Sequence, residues 1–114
     1  MKQYDYTLSC SHRLMQQGYT NVDVRTDQAI TAVDSDGCLV CFLCIPTWWS
    51  RVGEFEVEEL IPLMRFYSAE RGAILTTGGF TRGAKLRAGE EGNITLYPRF
   101  CIKQEPQNGF EDVL

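Results

Sequence analysis

The stretch CLVCFLCI, residues 38–45, constrains the fold more than any other part of the chain. It holds eight apolar residues in succession, bounded by Gly37 before it and Pro46 after it. An unbroken apolar run of this length is typical of a strand that is covered on both faces. We therefore predict a central strand in a sheet that has helices on both sides, which is an α/β fold.

The rest of the chain supplies partners for this strand. The residue patterns predict strands at 20–25, 29–34, 38–45, 72–77 and 93–98, and helices at 4–17, 54–70 and 80–90. The turn sequence Ser-Asp-Gly at 35–37 predicts a hairpin before the central strand. The predicted order is α-β-β-β-α-β-α-β, a mixed sheet of about five strands flanked by helices. In the first helix we expect the apolar stripe to run through Leu8, His12 and Met15, with Tyr4 and Leu14 beside it.

Length and charge limit the possible functions. The 114 residues predict one domain over residues 1–100 and a C-terminal tail at 101–114. No apolar run approaches the roughly 18 residues that span a bilayer. The N-terminus also lacks a hydrophobic signal region, so we expect a cytoplasmic protein with no membrane association. The net charge of −4 argues against strong non-specific nucleic-acid binding, so a DNA-binding role would depend on a local group of cations.

Cys38, Cys41 and Cys44 have the spacing C-x-x-C-x-x-C, which raises the possibility of a zinc or iron–sulfur site. The residue pairs between them are Leu-Val and Phe-Leu, which favour a strand over the turns that gather thiolates around a metal. In a strand, Cys38 and Cys44 face one side and Cys41 faces the other. We therefore predict packed, reduced thiols, with no metal and no small-molecule cofactor.

The segment ERGAILTTGGFTRGAKLRAGEEGNITLY, residues 70–97, contains a strand ending in Thr-Thr, then Phe-Thr, a helix with spaced alanines at Ala84 and Ala88, and a strand of the type Ile-x-Leu. This arrangement resembles the closing half of the Mrr-type restriction endonuclease catalytic domain, a branch of the PD-(D/E)XK nuclease superfamily. The pairs Gly18-Tyr19 and Val52-Gly53 also fit that family. The resemblance covers residues 4 to 98 and implies a restriction-endonuclease-like fold.

The resemblance also implies where catalytic residues should lie. The family uses an Asp on the second strand and a Gln or Glu on the third to hold Mg²⁺ against the scissile phosphate. A Lys two residues after the Gln or Glu helps to position or activate the attacking water. Here the Asp position falls on Thr31, the Gln or Glu position on Phe42 and the Lys position on Cys44. A one-residue slip would instead give Cys41 and Leu43. The acid that many members carry on the first helix falls near Thr7.

None of these residue types can perform that chemistry. Thr31 is neutral, Phe42 has no lone pair for a metal, and the Cys44 thiol is a poor ligand for Mg²⁺, which prefers oxygen. We therefore interpret the chain as a nuclease fold whose catalytic motif is degenerate, with no metal cofactor. The alternative is an Mg²⁺-dependent DNA endonuclease with relocated metal ligands. The candidate carboxylates are Asp23, Asp34, Asp36, Glu54, Glu56, Glu58 and Glu59. Turn chemistry and the preference for acids at helix starts also explain most of them.

Two groups of residues indicate a binding role. The resemblance places Thr76, Thr77, Arg82, Lys85 and Arg87 beside the DNA cleft, where cations and a helix start can bind phosphate. An ordinary solvated helix face explains the same cations equally well. The second group, in the loop after the central strand, consists of Trp48, Trp49 and Arg51. These residues are candidates for stacking on a base or for anchoring a protein partner, including a second copy of the chain.

Overall fold

The computed structural model describes residues 2–101, so the predicted tail lies, except for Cys101, outside the described residues. Within that range, three helices and five strands follow the predicted order. The helices are α1 (Gln3–Gln16), α2 (Glu54–Phe66) and α3 (Arg82–Glu91). The strands are β1 (Thr20–Val24), β2 (Ala29–Val33), β3 (Leu39–Ile45), β4 (Arg71–Thr76) and β5 (Ile94–Tyr97).

The strands form one mixed sheet in the order β1-β2-β3-β4-β5. The β1–β2 and β2–β3 pairs are antiparallel, and the β3–β4 and β4–β5 pairs are parallel. The apolar strand β3 is central, which confirms the prediction from its composition. On one face, Phe42 and Cys44 pack against α1, and on the other, Cys41 and Leu43 pack against α2. The thiols of β3 therefore lie on opposite faces of the sheet, as the strand geometry predicted.

The buried face of α1 differs from the predicted stripe. Its core positions are Tyr6, Cys10 and Leu14, which recur every four residues and pack on the sheet. Tyr4 and Met15 are about half exposed. Of the five predicted residues only Leu14 is buried, because the stripe that faces the sheet runs through residues 6, 10 and 14. The small polar residues Thr7 and Ser11 instead complete the buried face, since they fit close to the sheet and bond to nearby carbonyls.

Local backbone chemistry sets the limits of α2 and α3. The predicted end of α2 at residue 70 was wrong, because Ser68 takes a positive φ of 57° and turns the chain into β4. The helix α3 starts at Arg82 because Thr81 caps it, accepting a hydrogen bond from the Ala84 N–H at 3.1 Å. Gly92, with a φ of 81°, ends that helix. No helix within residues 2–101 is long and apolar enough to cross a membrane.

Candidate functional site

The three positions that the resemblance assigns to catalysis lie on two faces of the sheet. Phe42 and Cys44 are fully buried beneath α1. Thr31 pairs across the sheet with Cys41, and directly paired residues share a face, so Thr31 lies on the α2 side. The structure therefore does not bring Thr31 together with Phe42 and Cys44. The residue of β2 that lies opposite Phe42 is Ile30.

The surroundings of Thr31 do not fit a divalent cation. The Arg25 Nε donates a hydrogen bond of 2.8 Å to the Thr31 hydroxyl oxygen, and its guanidinium carbon lies 5.5 Å from the centre of the Tyr67 ring. A fixed positive charge at this distance repels Mg²⁺. The strands β2 and β3 also contain no Asp, Glu or Lys, so the usual carboxylate ligands are missing on both faces. The residues present at these positions are unsuitable for the metal that the family implies.

Beneath α1, polar groups at the ends of β2 and β3 are bonded within the protein. Thr7, which stands near the position of the first-helix acid, is buried and donates to the Asp27 carbonyl oxygen at 2.6 Å. The Gln3 side-chain amide donates to the Cys44 carbonyl oxygen at 2.8 Å and lies 3.2 Å from the Asp27 carbonyl oxygen. This network fastens α1 over the sheet at the place where the family resemblance located metal binding.

Five of the seven carboxylates considered as relocated ligands have partners within the protein. Arg71 pairs with Asp34 at 2.7 Å and with Asp36 at 3.1 Å, and Glu56 accepts a hydrogen bond from the Gly53 N–H. The remaining ion pairs of this set are Asp23–Arg25 and Glu58–Arg87, both at 3.6 Å. In the part of the chain that the structure describes, no group of three His, Cys, Asp or Glu residues could hold a metal ion.

The cysteines also resemble core residues more than metal ligands. Cys10, Cys41 and Cys44 are fully buried, and none of the cysteines in the described range forms a disulfide. Burial raises the pKa of the Cys41 thiol to about 11. The thiol is therefore protonated at neutral pH, whereas metal binding requires the thiolate.

Three cations converge at the carboxyl edge of the parallel strands. Arg51 precedes α2, Lys85 lies in α3, and Arg99 follows β5. Together with Gly78, Gly79, Phe80 and Pro98 they line a cavity of about 520 Å³, which we call the cationic cavity. No acidic residue is among the described residues that line it. The segments meet here because parallel strands end at the same edge of a sheet.

The predicted nucleic-acid-binding residues divide into three groups in the structure. Thr76 and Thr77 are buried, and Thr77 is hydrogen-bonded to the backbone of Thr47, so both serve the fold. Arg87 forms ion pairs with three acids, Glu58, Glu90 and Glu91. Arg82 is exposed but does not line the cationic cavity, whereas Lys85 does.

Arg51 and Arg99 extend the predicted set of cations. Arg51 was predicted as part of a partner-binding surface and lines the cationic cavity with Lys85. Arg99 was missed, because its position after a short strand gives no local signal of a site. Its backbone N–H donates to the Gly78 carbonyl oxygen at 3.0 Å, which fixes it against the segment after β4. The other predicted partner-binding residues, Trp48 and Trp49, are 52% and 96% exposed.

Comparison with known families agrees with this fold. A sequence-family model of the Mrr catalytic domain, a restriction endonuclease domain, matches residues 1–100. The chain belongs to the Mrr restriction endonuclease family. The resemblance carried by residues 70–97 is thereby confirmed. No curated protein sequence matches this Mrr-family chain.

Solved structures show the same fold for the Mrr-family chain. A DNA modification-dependent restriction endonuclease, AspBHI, matches with a TM-score of 0.65 and 15% identity over 86% of this chain and 30% of its own. EndoMS in its apo form matches with a TM-score of 0.58 and 20% identity over 95% of this chain and 49% of its own. A repair endonuclease from Pyrococcus abyssi matches with a TM-score of 0.53 and 20% identity over 76% and 41%. The Mrr-family chain thus spans less than half the length of each.

Proposed function

We propose that this chain is a catalytically degenerate Mrr-family domain that binds nucleic acid through backbone phosphates and leaves it intact. The observation that carries the proposal is the convergence of Arg51, Lys85 and Arg99 on one cavity whose described lining contains no acid. Phosphate contacts by Lys and Arg supply most of the affinity of non-specific nucleic-acid binding. The nuclease names of the structural neighbours are consistent with a ligand of this class.

The charges of the cationic cavity are available to a ligand. Among the described residues, Arg51, Lys85 and Arg99 take part in no ion pair, whereas Arg71 and Arg87 are each held by two or more acids. All three are exposed to solvent. A phosphate that enters the cavity therefore displaces no acid of residues 2–101 from these cations, which favours binding at low salt.

The start of α3 carries charges that the helix itself does not favour. Arg82 is its first residue, Lys85 follows within a turn, and the first turn contains no acid. A helix N-terminus has partial positive charge, so cations there disfavour the helix by about 0.3–1 kcal/mol. A bound phosphate would reverse this effect, because backbone N–H groups and cations would then face an anion. Within the protein, the Glu54 carboxylate lies near this helix start, since a Cβ atom at Gly83 would be 3.5 Å from its oxygen, and a bound phosphate would add to that negative charge.

The absence of catalysis is supported by the residues at the inferred catalytic positions. Phe42 has no lone pair for a metal, Cys44 is a buried thiol, and Thr31 already accepts a hydrogen bond from Arg25. Filling such a site with apolar residues also removes the cost of burying charged groups. In this proposal the degenerate positions stabilise the scaffold, while phosphate binding takes place in the cationic cavity at the carboxyl edge of the parallel strands.

Salt-dependent binding tests the proposal. Anisotropy of a labelled oligonucleotide should show an affinity that falls steeply between roughly 50 and 200 mM salt. Replacing Arg51 and Lys85 with Ala should weaken binding and reduce the slope of log K against log salt by about 1.5, because two phosphate contacts are lost. The matched control is Arg13→Ala with Arg65→Ala, which removes the same charge from α1 and α2. Equal losses in both double variants would refute a specific role for the cationic cavity.

A further inference from the structure

The loop at residues 46–51, PTWWSR, presents the two tryptophans of the chain at the surface. We call it the tryptophan loop. Trp49 is 96% exposed and packs on almost nothing, whereas Trp48 is 52% exposed and is about half covered by the protein. The indole is a large apolar group that proteins rarely leave fully exposed. Its exposure here indicates contact with another molecule.

Hydrogen bonds hold the tryptophan loop in place. The Thr47 N–H donates to the Thr77 hydroxyl oxygen at 2.8 Å, and that hydroxyl donates back to the Thr47 carbonyl oxygen at 2.8 Å. The Thr47 hydroxyl also lies 2.8 Å from the Ser50 hydroxyl oxygen. On the far side, the Val52 N–H donates to the Gly79 carbonyl oxygen at 2.9 Å. The indoles therefore stand on a fixed backbone, which lowers the entropy cost of binding.

The tryptophan loop and the cationic cavity share a wall. A Cβ atom at Gly78 would lie 2.8 Å from the Thr47 carbonyl oxygen and 3.2 Å from the Ser50 carbonyl oxygen, so the loop backbone packs directly on this glycine. Gly78 lines the cavity, and so does Arg51 of the loop. The two tryptophans therefore lie in the chain between residues that contact the cavity wall.

Charge favours a nucleic acid over a protein as the partner of this surface. The tryptophan loop contains no acidic residue and one arginine. An arginine beside exposed tryptophans also occurs in protein interfaces. Here, however, the neighbouring cavity adds two further cations, and a polyanion with flat apolar bases matches both parts at once.

We infer that the tryptophan loop stacks on unpaired nucleobases while the cationic cavity binds the adjoining phosphates, so that the ligand class is single-stranded nucleic acid. This inference rests on the proposed function. Bases within a duplex are already stacked on their neighbours, and only an unpaired base exposes its face to an indole. The combination of a cationic groove with stacking aromatics is the general means by which proteins bind single strands.

Intrinsic fluorescence tests this inference, because both tryptophans of the chain lie in the loop. We expect oligo-thymidine to quench the emission and to bind more tightly than a hairpin duplex at equal salt. Trp49→Ala should weaken binding of oligo-thymidine about tenfold, as expected for one lost stacked base. The same variant should bind an abasic oligonucleotide of equal length as the wild type does, because the phosphate contacts remain. Phe66→Ala removes an aromatic of similar exposure from α2 and should change neither affinity.

Other outcomes would overturn the inference in distinguishable ways. Equal affinity for oligo-thymidine, duplex and abasic strand, without quenching, would reject base stacking and leave phosphate binding standing. Failure to bind any of the three would reject the inference together with the proposed function. A wild-type dimer that Trp49→Ala converts to a monomer, with unchanged oligonucleotide affinity, would instead assign the loop to contact between copies of the chain.

Discussion

At the scale of single residues, the inferred catalytic positions are buried within the sheet. Cys44 stands where the family would place a lysine, and its side chain packs with Tyr6 and Cys10 beneath α1. An ammonium group at this position would be buried without a carboxylate partner. Such a group costs several kcal/mol, which exceeds the contribution of any one contact that it could form here.

The variant Cys44→Lys tests whether this position is closed to charge. We expect the free energy of unfolding, measured by urea denaturation, to fall by about 3–5 kcal/mol, because the charge is uncompensated. Cys44→Ala is the control and should cost about 1 kcal/mol, since it removes one buried heavy atom. Equal stability of the two variants would show that the position is hydrated and that the polar site persists.

At the scale of elements, Asp34 stabilises the hairpin between β2 and β3. One carboxylate oxygen accepts the N–H groups of Asp36 and Cys38, each at 2.9 Å, and the other pairs with Arg71 at 2.7 Å. The hydrogen bond from the Cys38 N–H, with those from Asp36 and Arg71, lowers the pKa of Asp34 below its usual value. The ionised form thus fastens the turn to the first residue of β4.

The pH dependence of this turn follows from the lowered pKa. Because the pKa of Asp34 is lower in the folded state, its stabilisation is present above pH of about 4 and is lost as the pH falls through the folded value. Thermal unfolding should therefore show Asp34→Ala less stable than wild type at neutral pH, with the difference shrinking in acid. Asp36→Ala, which removes a more exposed carboxylate, should show a smaller difference. A difference between Asp34→Ala and wild type that stays constant into strong acid would contradict this role.

The elements were largely predictable because their signals are local. The apolar run of β3 and the Asp-Gly turn each depend on a few adjacent residues. Two helix limits differ from the prediction, the start of α3 after Thr81 and the end of α2 before Ser68. Capping and a positive φ depend on backbone geometry that composition does not encode.

At the scale of the whole molecule, the candidate site could be predicted only in part. Lys85 and Arg51 were singled out separately, yet Arg99 joins them only because β4 and β5 pair in parallel and end at one edge. The net charge of −4 likewise gives no indication of a cavity whose charged lining residues within 2–101 are all cations. Thr31 is an opposite case, in which residues expected together lie apart. The family spacing placed it with Phe42 and Cys44, but the sheet register puts it on the other face.

The test that decides the proposed function is an endpoint cleavage assay under binding conditions. An end-labelled DNA strand is incubated with saturating protein and Mg²⁺ or Mn²⁺, and the products are separated on a denaturing gel. We predict that every strand remains full length while a parallel native gel shows it bound. Cut strands whose formation follows the protein through purification and stops with EDTA would show that relocated carboxylates hold a working metal ion, and would contradict a degenerate site.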